Sequence, residues 1–477
     1  MFVFNDCTRD SRVLREAGTL AASGHDVTIY ALPRDPSSTH VEVEERDGFR
    51  IERVPPPRGW RRPWAWFWHP YRTWGWVLRW SAFRIRRGIV TPPKGWLQIP
   101  VILVGLVVWA PWAVIRTIGH VVGRKVLHHT GPGSVDFLSR WRFVISGWGE
   151  VVADRAAGAD VFHGHDLTAM PAASRSRRRR GGRLVYDSHE IILESGSYAR
   201  RPAWLRAYLR RSERAFVAEA DSMVTVNDAL AEELAVRYAP RRIIVVHNCP
   251  ARWGPPAERP DLLREATGIP ADAPIALYHG GFSAHRGIEE LAAAMLEPAA
   301  AGVHAVALGY GSLRTALGEM AADPRYEGRF HVLDAVPPEA LPEWVASADV
   351  GVMPIQASTL NHRLSTPNKL FECLAAGTPV VVSDFPDMRR IVLGDPDGPL
   401  GATCDPTSPA SIADAIREVL GRDPAATADL RARCLRAAHD RWSWEAESAR
   451  LVALYAALTV EDGHEQVSAV AVDTPSA

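Results

Sequence analysis

Short apolar, β-branched runs recur along this chain, separated by longer stretches whose apolar positions fall three or four residues apart. Val27-Thr28-Ile29-Tyr30, Asp160-Val161-Phe162, Leu184-Val185-Tyr186, Ser222 to Val226 and Ile243-Ile244-Val245-Val246 predict strands, with helices predicted over Ser11 to Ser23 and Ala229 to Tyr238. A second series starts at Ile275-Ala276-Leu277-Tyr278. It continues through Ala305 to Leu308, Phe330 to Leu333, Val350 to Met353 and Pro379 to Val382. Strands alternating with helices imply parallel sheets covered on both faces. The reading is two similar, doubly wound α/β domains, 1–250 and 251–440. Pro250 to Pro274, with six prolines, is the expected linker. Trp442-Ser443-Trp444-Glu445 leads into a helix expected to end near Leu458. Residues 461–477 lack aromatic residues and periodicity and read as a disordered tail.

One segment breaks this pattern. Residues 53–135 contain no Asp or Glu, yet carry 13 Arg or Lys and 10 of the 17 tryptophans. Cations and indoles without acids are what an anionic lipid surface selects, so an insertion touching the membrane is expected here. Leu97 to Ile115 is an uncharged run of 19 residues, long enough in principle to span a bilayer. A single crossing would split the first sheet across the membrane, and Pro100 and Pro111 interrupt the run. A re-entrant or interfacial hairpin is therefore expected, with a buried helix or a protein contact as the alternative. A smaller basic cluster, Arg175, Arg177 to Arg180 and Arg183, reads equally as a solvated helix end or as a lipid or phosphate contact.

The whole chain is formally neutral, with 55 basic and 55 acidic residues, so no global field points to nucleic acid. Its five cysteines show no CxxC spacing, which argues against a zinc site or a disulfide framework and favours a reducing compartment. The start, Met1 to Asp6, lacks the basic head of a signal peptide. The expected location is the cytoplasmic face of a membrane, peripheral or monotopic.

Candidate chemistry gathers where strands give way to helices, the ligand-binding edge of open α/β sheets. Asn5 to Arg12, His163-Gly164-His165-Asp166, Asp187-Ser188-His189-Glu190, Tyr278-His279-Gly280-Gly281-Phe282 before Arg286-Gly287, and Gly309-Tyr310-Gly311-Ser312 all fall there. The fullest segment is Leu364-Ser365-Thr366-Pro367-Asn368-Lys369-Leu370-Phe371-Glu372. A helix starting near Pro367 with Ser365 or Thr366 as N-cap would offer free amides to a pyrophosphate. Glu372, one turn in, would accept a ribose hydroxyl, and Gly377 would end the helix. Asp10 and Arg12 read either as site residues or as a pair with each other. Asp187, His189 and Glu190 read as bracing the cleft rather than as a metal set.

Arg286-Gly287, Gly309-Tyr310-Gly311, Ala348 to Val352, Asn368 to Glu372 and Ala376 to Val381 closely resemble the retaining GT-B glycosyltransferases of family 4. Asp10 to Ala17, Leu20 to Thr28 and His165-Asp166 fit as well. The resemblance covers nearly all the chain outside the insertion and the tail. It implies a GT-B fold, two Rossmann-like domains facing a cleft, and a nucleotide diphosphate sugar donor, UDP- or GDP-linked.

It assigns Glu372 to the ribose and Arg286 to the diphosphate. Lys369 would lie by the diphosphate or sugar, with Gly280, Gly281, Gly309, Gly311, Pro367 and Asn368 around the donor. His165 would stand beside the transferred sugar, and Asp10 and Arg12 on the acceptor side. The helix over 441–460 would cross back to the first domain. Two positions depart from the family. Leu364 stands where a second Glu is frequent, with Asn361 or His362 as possible substitutes, and Gly281 stands where an Arg is frequent. No Asp-x-Asp triplet of the kind that holds a catalytic metal is read in the chain, so metal-independent, retaining transfer to a glycan or lipid-linked acceptor is expected. The rival readings are a sugar-nucleotide epimerase or hydrolase, and a non-catalytic membrane adaptor on the same fold.

Overall fold

The computed structural model describes residues 1–8, 10–57, 77–86, 99–107, 110–111, 113–114, 117–118, 137–138, 140–256 and 258–460. In its first half, β1 (Thr28–Ala31), β2 (Glu42–Arg46) and β3 (Phe49–Arg53) form a ladder ordered β1-β3-β2. A second ladder runs β4-β5-β6-β7, from β4 (Val161–His165), β5 (Arg183–Ser188), β6 (Ser222–Thr225) and β7 (Ile243–Val245). The chain start joins the two. Phe2 donates to the His163 carbonyl at 2.8 Å and accepts from His165 at 2.9 Å, while Tyr30 donates to the Met1 carbonyl at 2.9 Å. Residues 1–3 thus lie between β1 and β4, and the loop Asn5 to Asp10 leaves at the carboxyl edge of the sheet.

All of these pairings are parallel except β2 with β3. That hairpin was not legible as strand, because Val43 is the one apolar residue among Glu42-Val43-Glu44-Glu45-Arg46. Its turn is the signal: Asp47 and Gly48 take φ of 40° and 84°, the left-handed pair of a two-residue hairpin. Arg53, expected to open the insertion, belongs instead to β3. It is 1% exposed, with its guanidinium on Glu44 at 2.7 Å and on the Asp6 carbonyl at 2.8 Å.

The second sheet is wholly parallel: β8 (Ile275–Phe282), β9 (His304–Gly311), β10 (Phe330–Asp334), β11 (Val350–Met353), β12 (Val380–Ser383) and β13 (Gly401–Cys404). Their order, β10-β9-β8-β11-β12-β13, reverses between β8 and β11. A crevice opens at such a reversal, outside the carboxyl ends of the strands. The central strands β11 and β12 are buried at every position, as a sheet covered by helices on both faces requires.

Between the sheets, the proline-rich stretch is ordered rather than loose. It holds a short helix, Leu262–Thr267, closed by left-handed Gly268, and Arg259 and Arg264 both pair with Asp349 of the second half. After the second sheet, the helix Trp444–Val460 returns to the first half. Trp444 Nε1 donates to Thr19 at 2.9 Å, and Leu451, Leu454, Tyr455 and Leu458 join the core around helix Ser11–Ala22.

Most of the Trp- and Arg-rich segment lies outside the described residues, as does the 461–477 tail. Among the described residues no helix is long and apolar enough to cross a membrane. Short helical pieces at 77–86 and 99–107 expose Leu78, Phe83, Val101, Val104 and Val107, each at least half accessible.

Candidate active site

The carboxyl ends of β8, β9 and β11 and the helix Asn368–Ala375 meet on one side of the crevice. That helix begins one residue later than expected. Pro367 is its N-cap and offers no side-chain bond, because Thr366 donates to Asp387 and Ser365 to the His362 carbonyl. The first-turn amides are therefore left without a side-chain cap, and positive charge collects there.

The Lys369 ammonium lies 3.8 Å over the Tyr278 ring, next to Gly280. Burial and the nearby Arg286 push it down to about 7. Arg286 itself makes no ion pair or hydrogen bond among the described residues, so its charge is uncommitted. Glu372 accepts from His279 at 2.8 Å. Burial works to raise its carboxyl, but that bond and the charges of His279, Lys369 and Arg15 hold it below its ordinary value. Gly309 and Gly311 are required by close approach: a Cβ would meet the Gly280 carbonyl at 1.9 Å and the Phe282 carbonyl at 2.2 Å. Gly311 also takes φ of 146°. Gly281 opens onto empty space, so the position where the family often carries Arg has room for one.

The first half lines a cleft of about 580 Å³ with Asn5, Asp6, Asp10, Arg12, His189 and Glu190, opposite Asn361, Thr366 and Asn368; of the residues expected around the donor, Asn368 alone is on this lining, and Arg286, Lys369 and Glu372 are not. Asp10 caps helix Ser11–Ala22 through the Val13 amide and accepts from Asn5 at 2.9 Å. Asp10 and Arg12 do not pair with each other. Arg12 turns inward, 4% exposed, and binds both oxygens of Asp187 at 3.1 and 3.2 Å and Glu16 at 3.0 Å.

Asp187 is the hub of that buried network, accepting also from His165 at 3.1 Å and His189 at 2.8 Å. Burial alone would raise its carboxyl. Arg12 and His189, with the hydrogen bonds from both histidines, hold it well below the usual range. His189 loses charge stability by burial but gains more from Asp166 and Asp187, which lift it to about 10. The two carboxylates flanking its ring, Asp166 at 3.5 Å and Asp187 at 2.8 Å, favour its charged form. His165 sits behind that wall at 1% exposure, and burial lowers it. His189, not His165, lines the cleft. Asp166, the first residue of the helix that follows β4, takes φ of 59°, accepts from the His189 amide at 3.2 Å and brings its other oxygen to 3.5 Å from the ring Nδ1.

Contacts across the cleft set its width. Asn361 accepts from the Ile191 amide at 3.1 Å and donates to Glu190 at 3.1 Å, and Asn227 donates to the Leu364 carbonyl at 2.8 Å. Asn361 is thereby committed to bracing, and the Leu364 side chain packs against the first-half core. His362 bonds Ser358 at 2.8 Å.

Glu16, His163, His165 and Asp187 are the described residues grouped closely enough to hold a metal ion. Arg12 Nε already lies about 3 Å from both carboxylates, supplying the positive charge an ion would bring. The chain does contain one Asp-x-Asp triplet, Asp395-Pro396-Asp397, contrary to an argument for metal independence from its lack. Both acids are taken by Arg441, at 2.8 and 3.1 Å, away from the cleft-lining residues. Four of the six arginines at 175–183 pair with acids, Arg175 and Arg179 with Glu150, Arg178 with Glu219 and Arg183 with Asp221, while Arg177 and Arg180 bond the Gly182 and Asp154 carbonyls. All five cysteines are buried free thiols.

Sequence profiles of known families match both halves of the chain. The one described as glycosyl transferases group 1 covers residues 273–422, and the glycosyl transferase 4-like domain covers 89–249. The chain is 29% identical over 295 residues to a glycogen synthase of Mycobacterium tuberculosis, and 32% identical over 260 residues to a D-inositol 3-phosphate glycosyltransferase of Xylanimonas cellulosilytica. These matches take in 59% and 52% of this chain and 65% and 59% of those proteins, less than two thirds of either. Among solved structures, sucrose-phosphate synthase from Thermosynechococcus elongatus superposes with a TM-score of 0.63 at 17% identity, covering 96% of this chain and 98% of that one. An Anabaena protein solved with UDP superposes at 0.53 and 16% identity over 65% and 82% of the two chains. Two parallel sheets facing a cleft, with these likenesses, define a GT-B fold. Within that class, the two halves are similar to glycosyltransferases of the group 1 and the 4-like kind.

Proposed function

We propose that this protein is a retaining glycosyltransferase that moves a sugar from a UDP- or GDP-linked donor to a glycan or lipid-linked acceptor at a membrane surface. The observation that carries the reading is the convergence on one wall of the crevice of uncommitted Arg286, half-buried Lys369, the uncapped start of helix Asn368–Ala375 and Glu372. Three sources of positive charge suit a diphosphate, and a carboxylate one turn further on suits ribose. As the bond to the anomeric carbon breaks, negative charge grows on the departing diphosphate. Arg286, Lys369 and the helix amides would stabilise it. The acceptor would enter from the first half, past Asp10 and His189, with His165 and Arg12 holding that wall from behind. Transfer would not require a metal.

Membrane attachment is the second part of the proposal. It rests on the acid-free stretch 53–135 and on the exposed Leu78, Phe83, Val101, Val104 and Val107. The cytoplasmic face is the location that suits a nucleotide-linked donor.

The test is transfer of radiolabelled sugar from UDP-, GDP- and ADP-linked donors to membrane lipid extract in the presence of EDTA. The expected result is acceptor-dependent label in the organic phase from one donor class, with the anomeric configuration kept. Free sugar released without acceptor would favour a hydrolase. Nucleotide binding with no product in any assay would favour an adaptor, the reading to which Leu364 and Gly281 lend themselves.

A further inference from the structure

β8 opens as a buried run, Ile275 to Tyr278, and then sets down a buried imidazole, His279, just before the paired glycines. Its ring is 2% exposed, with Nε2 2.8 Å from Oε2 of Glu372. An ionised carboxylate only accepts, so Nε2 carries the proton and donates. Glu372 lies in the second turn of helix Asn368–Ala375 with its side chain one-third exposed, and among the described residues it has no other hydrogen-bond partner. The nearest cation on its own helix, Lys369, is turned over the Tyr278 ring instead. One oxygen of Glu372 is therefore fixed by His279, and the other is left for a ligand.

We propose that His279 is a positioning residue for donor recognition: by pinning Glu372 it makes the site select nucleotides that carry ribose hydroxyls. This rests on the reading of Glu372 as the group that accepts the ribose. A glutamate has three torsions, and unpinned at a helix surface it samples several rotamers. A vicinal diol is read well only by a carboxylate already held in place. A histidine within β8 reaches that carboxylate from the sheet, whose frame does not move with the helix's own side chains.

The test titrates UDP, GDP and ADP, each beside its 2′,3′-dideoxy counterpart, into the full chain as wild type, His279→Ala, His279→Gln and Glu372→Ala. Wild type is expected to prefer the ribo form of the nucleotide it binds by about 10- to 100-fold, as for hydrogen bonds to a charged group. His279→Ala is expected to shrink that preference to about threefold or less while dideoxy affinity stays at the wild-type value. His279→Gln, whose amide still donates, is expected to recover most of it. A preference that survives His279→Ala but disappears in Glu372→Ala overturns the inference alone. Ribo and dideoxy affinities falling together in His279→Ala, the mark of a merely structural role, overturn it too. A wild type blind to the hydroxyls removes the reading of Glu372, and the inference with it.

Discussion

Lys369 is the residue whose chemistry is most exposed to test. Burial first, and Arg286 near by second, disfavour its charged form and bring its pKa down to about 7. A bound diphosphate would favour the charged form and raise that value. Binding at pH 8 is then expected to take up a proton, read by calorimetry in buffers of different ionisation heat, and Lys369→Met should abolish the uptake. Binding heats independent of buffer would contradict this. Asp187 makes the matching structural prediction. It is fully buried and holds Arg12, His165 and His189 together. Asp187→Ala leaves Arg12 beneath the cleft without its main partner and is expected to cost about 3–5 kcal/mol in denaturant unfolding. A loss within about 0.5 kcal/mol, the range of ordinary surface changes, would show that Arg12 and Glu16 suffice.

At the scale of elements, the strand-to-helix junctions were readable because parallel strands in a covered sheet are runs of valine and isoleucine, and the polar residues that follow them stand out. Pro367 to Glu372 was legible for the same reason, although Thr366 gives its hydroxyl to Asp387 rather than to the helix. The hairpin Glu42–Arg46 with Phe49–Arg53 was not legible, since one face lies open to solvent and only Asp47-Gly48 marked it. His279 was passed over as part of a glycine-rich turn; a histidine directly after the run Ile275 to Tyr278 was its signal. Glu16 and Arg12 sit on the apolar stripe of helix Ser11–Ala22, with Val13, Ala17 and Leu20. Charges in such a stripe mark a buried pair, and pattern alone could not say that the partner was Asp187, 175 residues away. Gly311 offers a test at this scale. Its positive φ and contact with the Phe282 carbonyl leave no room for a methyl group, so Gly311→Ala is expected to lower stability by about 1–3 kcal/mol and weaken donor binding. Unchanged melting and affinity would show that the loop relaxes freely.

The whole molecule is two sheets whose carboxyl edges face each other, tied by Asn361 to Glu190, by Asn227 to Leu364 and by the returning helix Trp444–Val460. That arrangement was legible from strand alternation and from the family resemblance, whereas the cross-cleft partners were not, because they join residues more than a hundred positions apart. The insertion supplies the prediction at this scale. In flotation assays the protein is expected to rise with vesicles containing anionic lipid and to release as salt increases, since charge drives much of the contact. Equal recovery with neutral and anionic vesicles would contradict an electrostatic contact. The most direct test of the central claim is calorimetric titration of UDP, GDP and ADP, in EDTA, into wild type, Arg286→Ala and Glu372→Ala. The account predicts that one nucleoside diphosphate binds the wild type and that each substitution weakens it by about tenfold or more. Failure of all three to bind, or binding in both variants equal to wild type, would contradict it.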